Sequence, residues 1–238
     1  MNTRLTVVVP TRNRPAELTT LLANLQTQSR VPDVVIVVDS SDEASRAQVE
    51  AIVGRAGLSC AYLHHSPPSA AAQRNAGLSM ALPAADLIAF LDDDLTLDVR
   101  ALESAAAEIE RRGAEFIGFG FNPMDADSRR DHGRLKKLRL TEAVGLYSMR
   151  TGAVSPSGWH TRLVHVAEAT EVEWLTSCAM IWRADAIRDL RFDEYFEQYS
   201  YLEDLEFSLQ ARSRGRLLVL SSATYLHTPA PGGRKSRF

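Results

Sequence analysis

Several common features are scarce in this chain, and each scarcity excludes something. Among 238 residues there are two cysteines, Cys60 and Cys178. They make neither a disulfide framework nor a zinc-ligand spacing, so a reducing, cytoplasmic setting is the expectation. No stretch approaches the ~20 consecutive apolar residues of a membrane-spanning helix, which leaves only peripheral contact at the inner face of a membrane. The opening MNTRLTVVVPT meets a proline after a short apolar run and lacks the long apolar core of a secretory signal. A surplus of positive charge is missing as well. The 27 Lys and Arg against 30 Asp and Glu give a formal net charge of −3, the wrong balance for a nucleic-acid partner.

What the chain does have is a core and a rhythm. Hydrophobic residues make up 45%, ordinary for a globular protein. LTVVV (5–9), VVIVV (34–38), CAYLH (60–64), LIAFL (87–91) and FIGFG (116–120) read as buried strands. They are short, rich in β-branched or aromatic residues, and bounded by turn formers. Helix-length segments lie between them, at 15–28, 43–55, 70–82 and 98–112. The first has Leu18, Leu21, Leu22 and Leu25 at helical spacing and Pro15 in its first turn. The last has Asp98 placed as an N-cap and Gly113 as a stop.

This alternation predicts an α/β fold with a mostly parallel sheet and helices on both faces. The rhythm breaks at 121–171, an irregular excursion that holds the basic run RRDHGRLKKLR (129–139). It resumes with VEWLTSCAMIWRADAI (172–187), a helix in YLEDLEFSLQARSRG (201–215), and one or two strands in RLLVLSSATYLH (216–227). A single domain spanning 1–238 is expected, with one half to residue 120 and another from 121.

Ligands of such sheets gather beyond the C-terminal ends of the strands. Three polar sets fall there: Pro10-Thr11-Arg12-Asn13-Arg14, Asp39-Ser40-Ser41-Asp42, and Asp92-Asp93-Asp94. Three adjacent carboxylates after a fully apolar strand repel one another and call for positive charge among them. Side chains alternate along an extended chain, so Asp92 and Asp94 face one side together. Such a pair could hold a hard divalent cation, Mg²⁺ or Mn²⁺, through oxygen ligands. A solvated acidic turn is the plainer alternative.

Two chemistries use such a stretch. Asp92-Asp93-Asp94-Leu95-Thr96 fits the D-x-D-x-T of haloacid-dehalogenase-type phosphohydrolases and the D-x-D of nucleotide-sugar-dependent glycosyltransferases. The phosphohydrolase motif belongs on the first strand and is followed by a lysine. Here the triplet follows the fourth strand, and the three lysines, Lys136, Lys137 and Lys235, lie in the excursion and the tail.

Six segments, in order, resemble family 2 glycosyltransferases of the GT-A fold: LTVVVPTRNRPAELTTLLANLQTQ, VVIVVDSSD, AAAQRNAGLSMA, FLDDD, VEWLTSCAMIWRAD and YLEDLEFSLQARSRG. The resemblance covers most of the chain outside 121–171. It implies inverting, metal-dependent transfer of one sugar from a nucleotide-sugar donor, bound by the first half, to an acceptor hydroxyl held by the second. The donor would be a UDP-sugar, with TDP- and GDP-sugars as alternatives. The acceptor would be a carbohydrate, a lipid-linked oligosaccharide or a small molecule, in polysaccharide, glycolipid or glycoconjugate biosynthesis.

Carried onto matching positions, the resemblance gives Pro10, Thr11, Asn13 and Arg14 the nucleotide pocket, and Asp39 a hydrogen bond from the base. Arg74, with Asn75 beside it, would face the phosphates, and Asp92 and Asp93 would contact the nucleotide. Asp94, Asp92 and His227 would hold the cation. Asp204 would be the general base, with Glu203 beside it.

Plainer readings stand beside these. Asp39 could cap the next helix. Glu203, Asp204 and Glu206 could be ordinary acids of a helical first turn. His227 and Trp174 could be structural, and the basic run could be a solvated loop or meet an acidic acceptor or a membrane. Thr176-Ser177-Cys178 stands where the family has a glycine-rich turn, and no Q-x-x-R-W motif of processive synthases occurs. A non-catalytic nucleotide-sugar binder and a sugar nucleotidyltransferase are the remaining rivals. The latter wants a glycine-rich loop after the first strand, and PTRNRP has no glycine.

Overall fold

The computed structural model describes residues 3–124, 145, 146, 148, 150–195 and 202–228, so the basic run 129–139 lies outside the described residues. In chain order the elements are β1 (Leu5–Thr11), α1 (Pro15–Gln26), β2 (Val34–Asp39), α2 (Glu43–Arg55), β3 (Cys60–His64), α3 (Ala70–Ala81), β4 (Leu87–Leu91), β5 (Leu95–Leu97) and α4 (Ala101–Arg112). They continue with β6 (Phe116–Pro123), β7 (Thr170–Val172), β8 (Ala179–Arg183), a 3-10 turn (Asp185–Ile187), α5 (Glu203–Ala211) and β9 (Arg216–His227).

One sheet contains strands from both halves of the chain, in the order β3-β2-β1-β4-β8-β6-β9-β5, with β7 also on β9. The β3-β2-β1-β4 part is wholly parallel. β8 is wedged antiparallel between β4 and β6. β9 runs parallel to β6, and the short β5 and β7 lie antiparallel on β9. The strands thus mostly share one direction, and β5, β7 and β8 run against it.

Period-two burial sorts the strands between two helical layers. Val7, Val9, Val35 and Val37 pack with Leu18, Leu21, Leu22 and Leu25 of α1, Val49 and Val53 of α2, and Ala105 and Ile109 of α4. Val8, Ile36 and Val38 pack with Ala71 and Leu78 of α3 and Phe207 of α5. Full burial of each large apolar side chain contributes about 1.5–3 kcal/mol. On the second face Phe192 stacks on Phe207 at 4.2 Å, and Trp182 meets Phe207 edge-on at 5.3 Å.

The expected elements depart from the structure in a few places, each with a cause. The helix assigned to 98–112 begins at Ala101. Asp98 does not cap it. Its amide donates to Thr224, and its Oδ1 and carbonyl close a turn with the Arg100 and Ala101 amides. The cause is β5, which pairs with β9 and holds the chain at the sheet up to Leu97. That pairing joins residues too far apart for any local pattern to signal. The irregular stretch is also shorter than expected, since β6 runs on to Pro123 and β7 begins at Thr170. α1 stops at Gln26, and α5 ends at Ala211, ahead of Gly215.

Candidate active site

The C-terminal ends of β1, β2 and β4 lie side by side, because Thr11 is in register with Asp39 and Val8 with Phe90. The chain leaves β4 at Asp92 and turns into β5. Alternation holds through this turn: Asp93 is buried, whereas Asp92 and Asp94 keep part of their surface. Among the described residues, the positive charge that the triplet requires comes from two arginines. Arg14 Nη1 donates to Asp93 Oδ1 at 2.9 Å and to Asp94 Oδ2 at 3.2 Å. Arg74 Nη2 donates to Asp92 Oδ1 at 2.8 Å.

Asp93 also accepts from Thr11 Oγ1 at 2.7 Å. Burial pushes its pKa up to about 6, against the pull of Thr11 and Arg14. With both oxygens bonded, it braces the turn beneath the rim. Pro10 and Thr11 are buried in β1. Arg12 and Asn13 are the exposed members of their set; Asn13 stands at φ 55°, and its side-chain amide exchanges hydrogen bonds with Asp42 at 3.0 Å.

Arg74 projects from α3, a helix framed by an N-cap bond from the Ala72 amide to Ser69 Oγ. Its Nη1 donates to Glu203 Oε1 at 3.0 Å, so one buried guanidinium joins the β4 tip to the start of α5. The guanidinium also lies 5.9 Å from the Phe192 ring centre. Burial opposes its charge, but Asp92, Glu203 and Asp204 outweigh burial and raise its pKa. Glu203 is enclosed, and burial pushes its pKa up to about 7 despite Arg74.

Asp204 keeps part of its surface open. Its Oδ2 accepts from the Ser177 amide at 3.1 Å and its Oδ1 from the Leu205 amide at 2.8 Å. Burial raises its pKa, and these two amides work against that rise. The Thr176-Ser177-Cys178 segment passes between the clusters. Ser177 serves Asp204 on one side, and the Cys178 carbonyl accepts from the Asp92 amide at 2.9 Å on the other. Cys178 is partly buried, and desolvation of its thiol, then the charge of Asp92, pushes its pKa up to about 12. Trp174 is core, with its indole N–H donated to Thr161.

His227 ends β9 in register with Leu95, which places its Nε2 3.1 Å from Asp94 Oδ1. Among the described residues no group of three or more His, Cys, Asp or Glu is arranged to hold a metal ion. Asp94 and His227 do offer an oxygen and an imidazole donor side by side, while Asp92 is engaged by Arg74.

Two residues expected at the nucleotide are also bonded within the fold. Asn75 donates to the Phe192 carbonyl at 2.9 Å and to Glu194 at 2.8 Å, and accepts from the Phe192 amide at 2.8 Å, which anchors the segment after β8. Asp39 is 0% exposed and bonded to Ser41 and Tyr62. A cavity of about 700 Å³ between α3 and α5 contains Asn75, Phe192 and Glu206, but none of the three aspartates.

Sequence reasoning missed Gln73, whose Nε2 donates to the Thr11 and Val38 carbonyls at 2.9 and 2.7 Å and ties β1 to β2. A glutamine inside the alanine-rich AAAQRNAG was the available signal. Tyr62 and Ser177 were missed as well, because their partners come from distant elements.

The sheet and its rim have GT-A architecture. The profile of glycosyl transferase family 2 matches residues 6–167, and the chain belongs to that family. Among solved structures it resembles S. aureus TarS. The TarS 1–349 structure in complex with UDP-GlcNAc has 21% identity and a TM-score of 0.67, covering 99% of this chain and 61% of that one. The TarS 1–349 complex with UDP has 21% identity and a TM-score of 0.65, covering 96% and 61%. A further TarS structure has 22% identity and a TM-score of 0.64, and this chain spans only 37% of its length. A search of curated proteins finds no match. Among the described residues no helix is long and apolar enough to cross a membrane.

Proposed function

We propose that the protein transfers a single sugar from a UDP-sugar to an acceptor hydroxyl with inversion, working as one unit across both halves of the chain. The acceptor hydroxyl loses its proton to Asp204 Oδ2, attacks the anomeric carbon, and the bond to the diphosphate breaks as UDP leaves. Asp204 suits this role because it is partly open, whereas Glu203 is enclosed and committed to Arg74. Asp94 and His227 would hold a divalent cation, with diphosphate oxygens completing the shell. Such a cation, when bound, stabilises charge on the leaving diphosphate. Arg14 and Arg74 set the local potential by neutralising the aspartates around it.

The single observation that carries this reading is the Arg74 bridge, which joins the acids at the β4 tip to those at the α5 start through bonds of 2.8 and 3.0 Å. The donor class is supported by the UDP-GlcNAc and UDP complexes of the TarS fold relatives. A carbohydrate, lipid-linked or small-molecule acceptor fits the reading, as does a reducing, cytoplasmic setting for the two free thiols. Thermal-shift measurements with UDP, GDP, TDP and CDP, each with and without Mn²⁺, test it. Stabilisation by UDP that grows with Mn²⁺ is expected; no response to any nucleotide would refute the donor site.

A further inference from the structure

We infer that Tyr62 sets nucleobase preference at the rim by occupying the Asp39 oxygen through which a base N–H would be read. The inference rests on the proposed UDP-sugar site at the ends of β1 and β2. Asp39 ends β2 with no exposed surface. Its Oδ1 accepts from the Ser41 amide at 2.8 Å and from Ser41 Oγ at 2.5 Å. Its Oδ2 accepts from the Tyr62 hydroxyl at 2.9 Å. A carboxylate oxygen has two lone pairs, and Tyr62 takes one of those on Oδ2 of this fully buried side chain.

For a base to take this oxygen, Tyr62 has to move aside. On β3 it is in register with Val37, and Asp39 with His64, so the Tyr62 and Asp39 side chains share one face of the sheet. Unlike Asp39, Tyr62 keeps part of its surface. Arg46 of α2 is close enough to act on the ionisation of its hydroxyl, and as a donor it engages the same oxygen that gives its proton to Asp39. Burial, then Asp39, push the Tyr62 pKa up to about 12, so the hydroxyl holds its proton and competes as a donor at any working pH.

Uracil presents an imide N–H that can replace the phenol on Oδ2. Cytosine presents a bare ring nitrogen at the same place, which the carboxylate repels. The preference for uracil is therefore limited by how readily Tyr62 yields.

The test is calorimetric binding of UDP and of CDP to the full chain and to Tyr62→Phe, with Asp39→Asn added in both backgrounds. Phenylalanine keeps the ring and removes the donor, leaving a buried acceptor for the base to satisfy. UDP affinity should rise about tenfold in Tyr62→Phe, the scale of one hydrogen bond to a charged acceptor. CDP affinity should stay level, and Asp39→Asn should abolish the gain. Equal UDP affinity, a gain shared by CDP, or a loss of UDP affinity would each overturn the inference, the last making Tyr62 a brace for Asp39. Tyr62→Leu, which also lacks the donor, repeats the comparison if melting shows Tyr62→Phe unfolded. If the unmodified chain binds neither nucleotide, the donor site fails and the inference with it.

Discussion

Arg74 Nη1 meets Glu203 Oε1 at 3.0 Å, joining residues that lie 129 positions apart. Both side chains are 4% exposed. Removing Arg74 would strip both Glu203 and Asp92 of their cation, at a cost of about 3–5 kcal/mol, whereas removing Glu203 leaves Arg74 still bonded to Asp92. The bond also makes the acids at the β4 tip and those at the α5 start parts of one cluster.

Within that cluster, Asp204 is expected to be the proton acceptor. Asp204→Asn keeps the shape and removes the basicity, so turnover should fall by about 10²–10⁴, while UDP affinity holds in a calorimetric titration. Unchanged turnover would remove Asp204 from the mechanism.

Glu203 should be visible in the pH dependence of stability. Its pKa stands at about 7 in the folded protein, above the ordinary 4.5. Between those values the folded state holds a proton that the unfolded chain has released. Stability therefore falls as the pH rises through this window and levels off above it. Urea unfolding across the window should show a shallower decline in Glu203→Gln than in the unmodified protein. Parallel declines would contradict the assignment.

His227 and Asp94 are expected to carry the response to metal. In His227→Ala, stabilisation by UDP alone should persist, and the added stabilisation by Mn²⁺ should shrink. An undiminished Mn²⁺ effect in the thermal-shift assay would make the His227–Asp94 contact a purely structural ion pair.

Gly77 allows α3 to lie close on the sheet. A Cβ there would stand 2.3 Å from Val8 Cγ1 and 3.3 Å from Val38 Cγ2. Gly77→Ala forces these buried valines apart and should lower stability by about 1–3 kcal/mol in chemical unfolding. Because Arg74 rides on the same helix, turnover should fall too. A variant as stable and active as the parent would show that the helix shifts freely.

The strands of the first half were legible because each carries a dense apolar run beside a turn former, and the four expected between residues 5 and 91 appear within two residues of their limits. The rim was legible for the same reason: polar residues after an apolar strand must lie at its end. Partnership was not. Asp93 and Asp94 are neighbours of Asp92 in sequence, yet they share Arg14 while Asp92 takes Arg74. Likewise β5 is three residues long and exists because β9 pairs with it. No period can be read in so short a segment. Nor could the sequence show that the amide of Asn75 bonds to Phe192 and Glu194, more than a hundred residues away.

The place of β8 bears on how the protein is made. β4 finds its outer neighbour in residues 179–183, and β6 pairs with β8 on the far side of that strand. While the ribosome has delivered just the first 120 residues, β4 presents an open edge to other chains. The first half therefore has to wait for β8, and a fragment cut near residue 124 should associate with itself instead of standing alone.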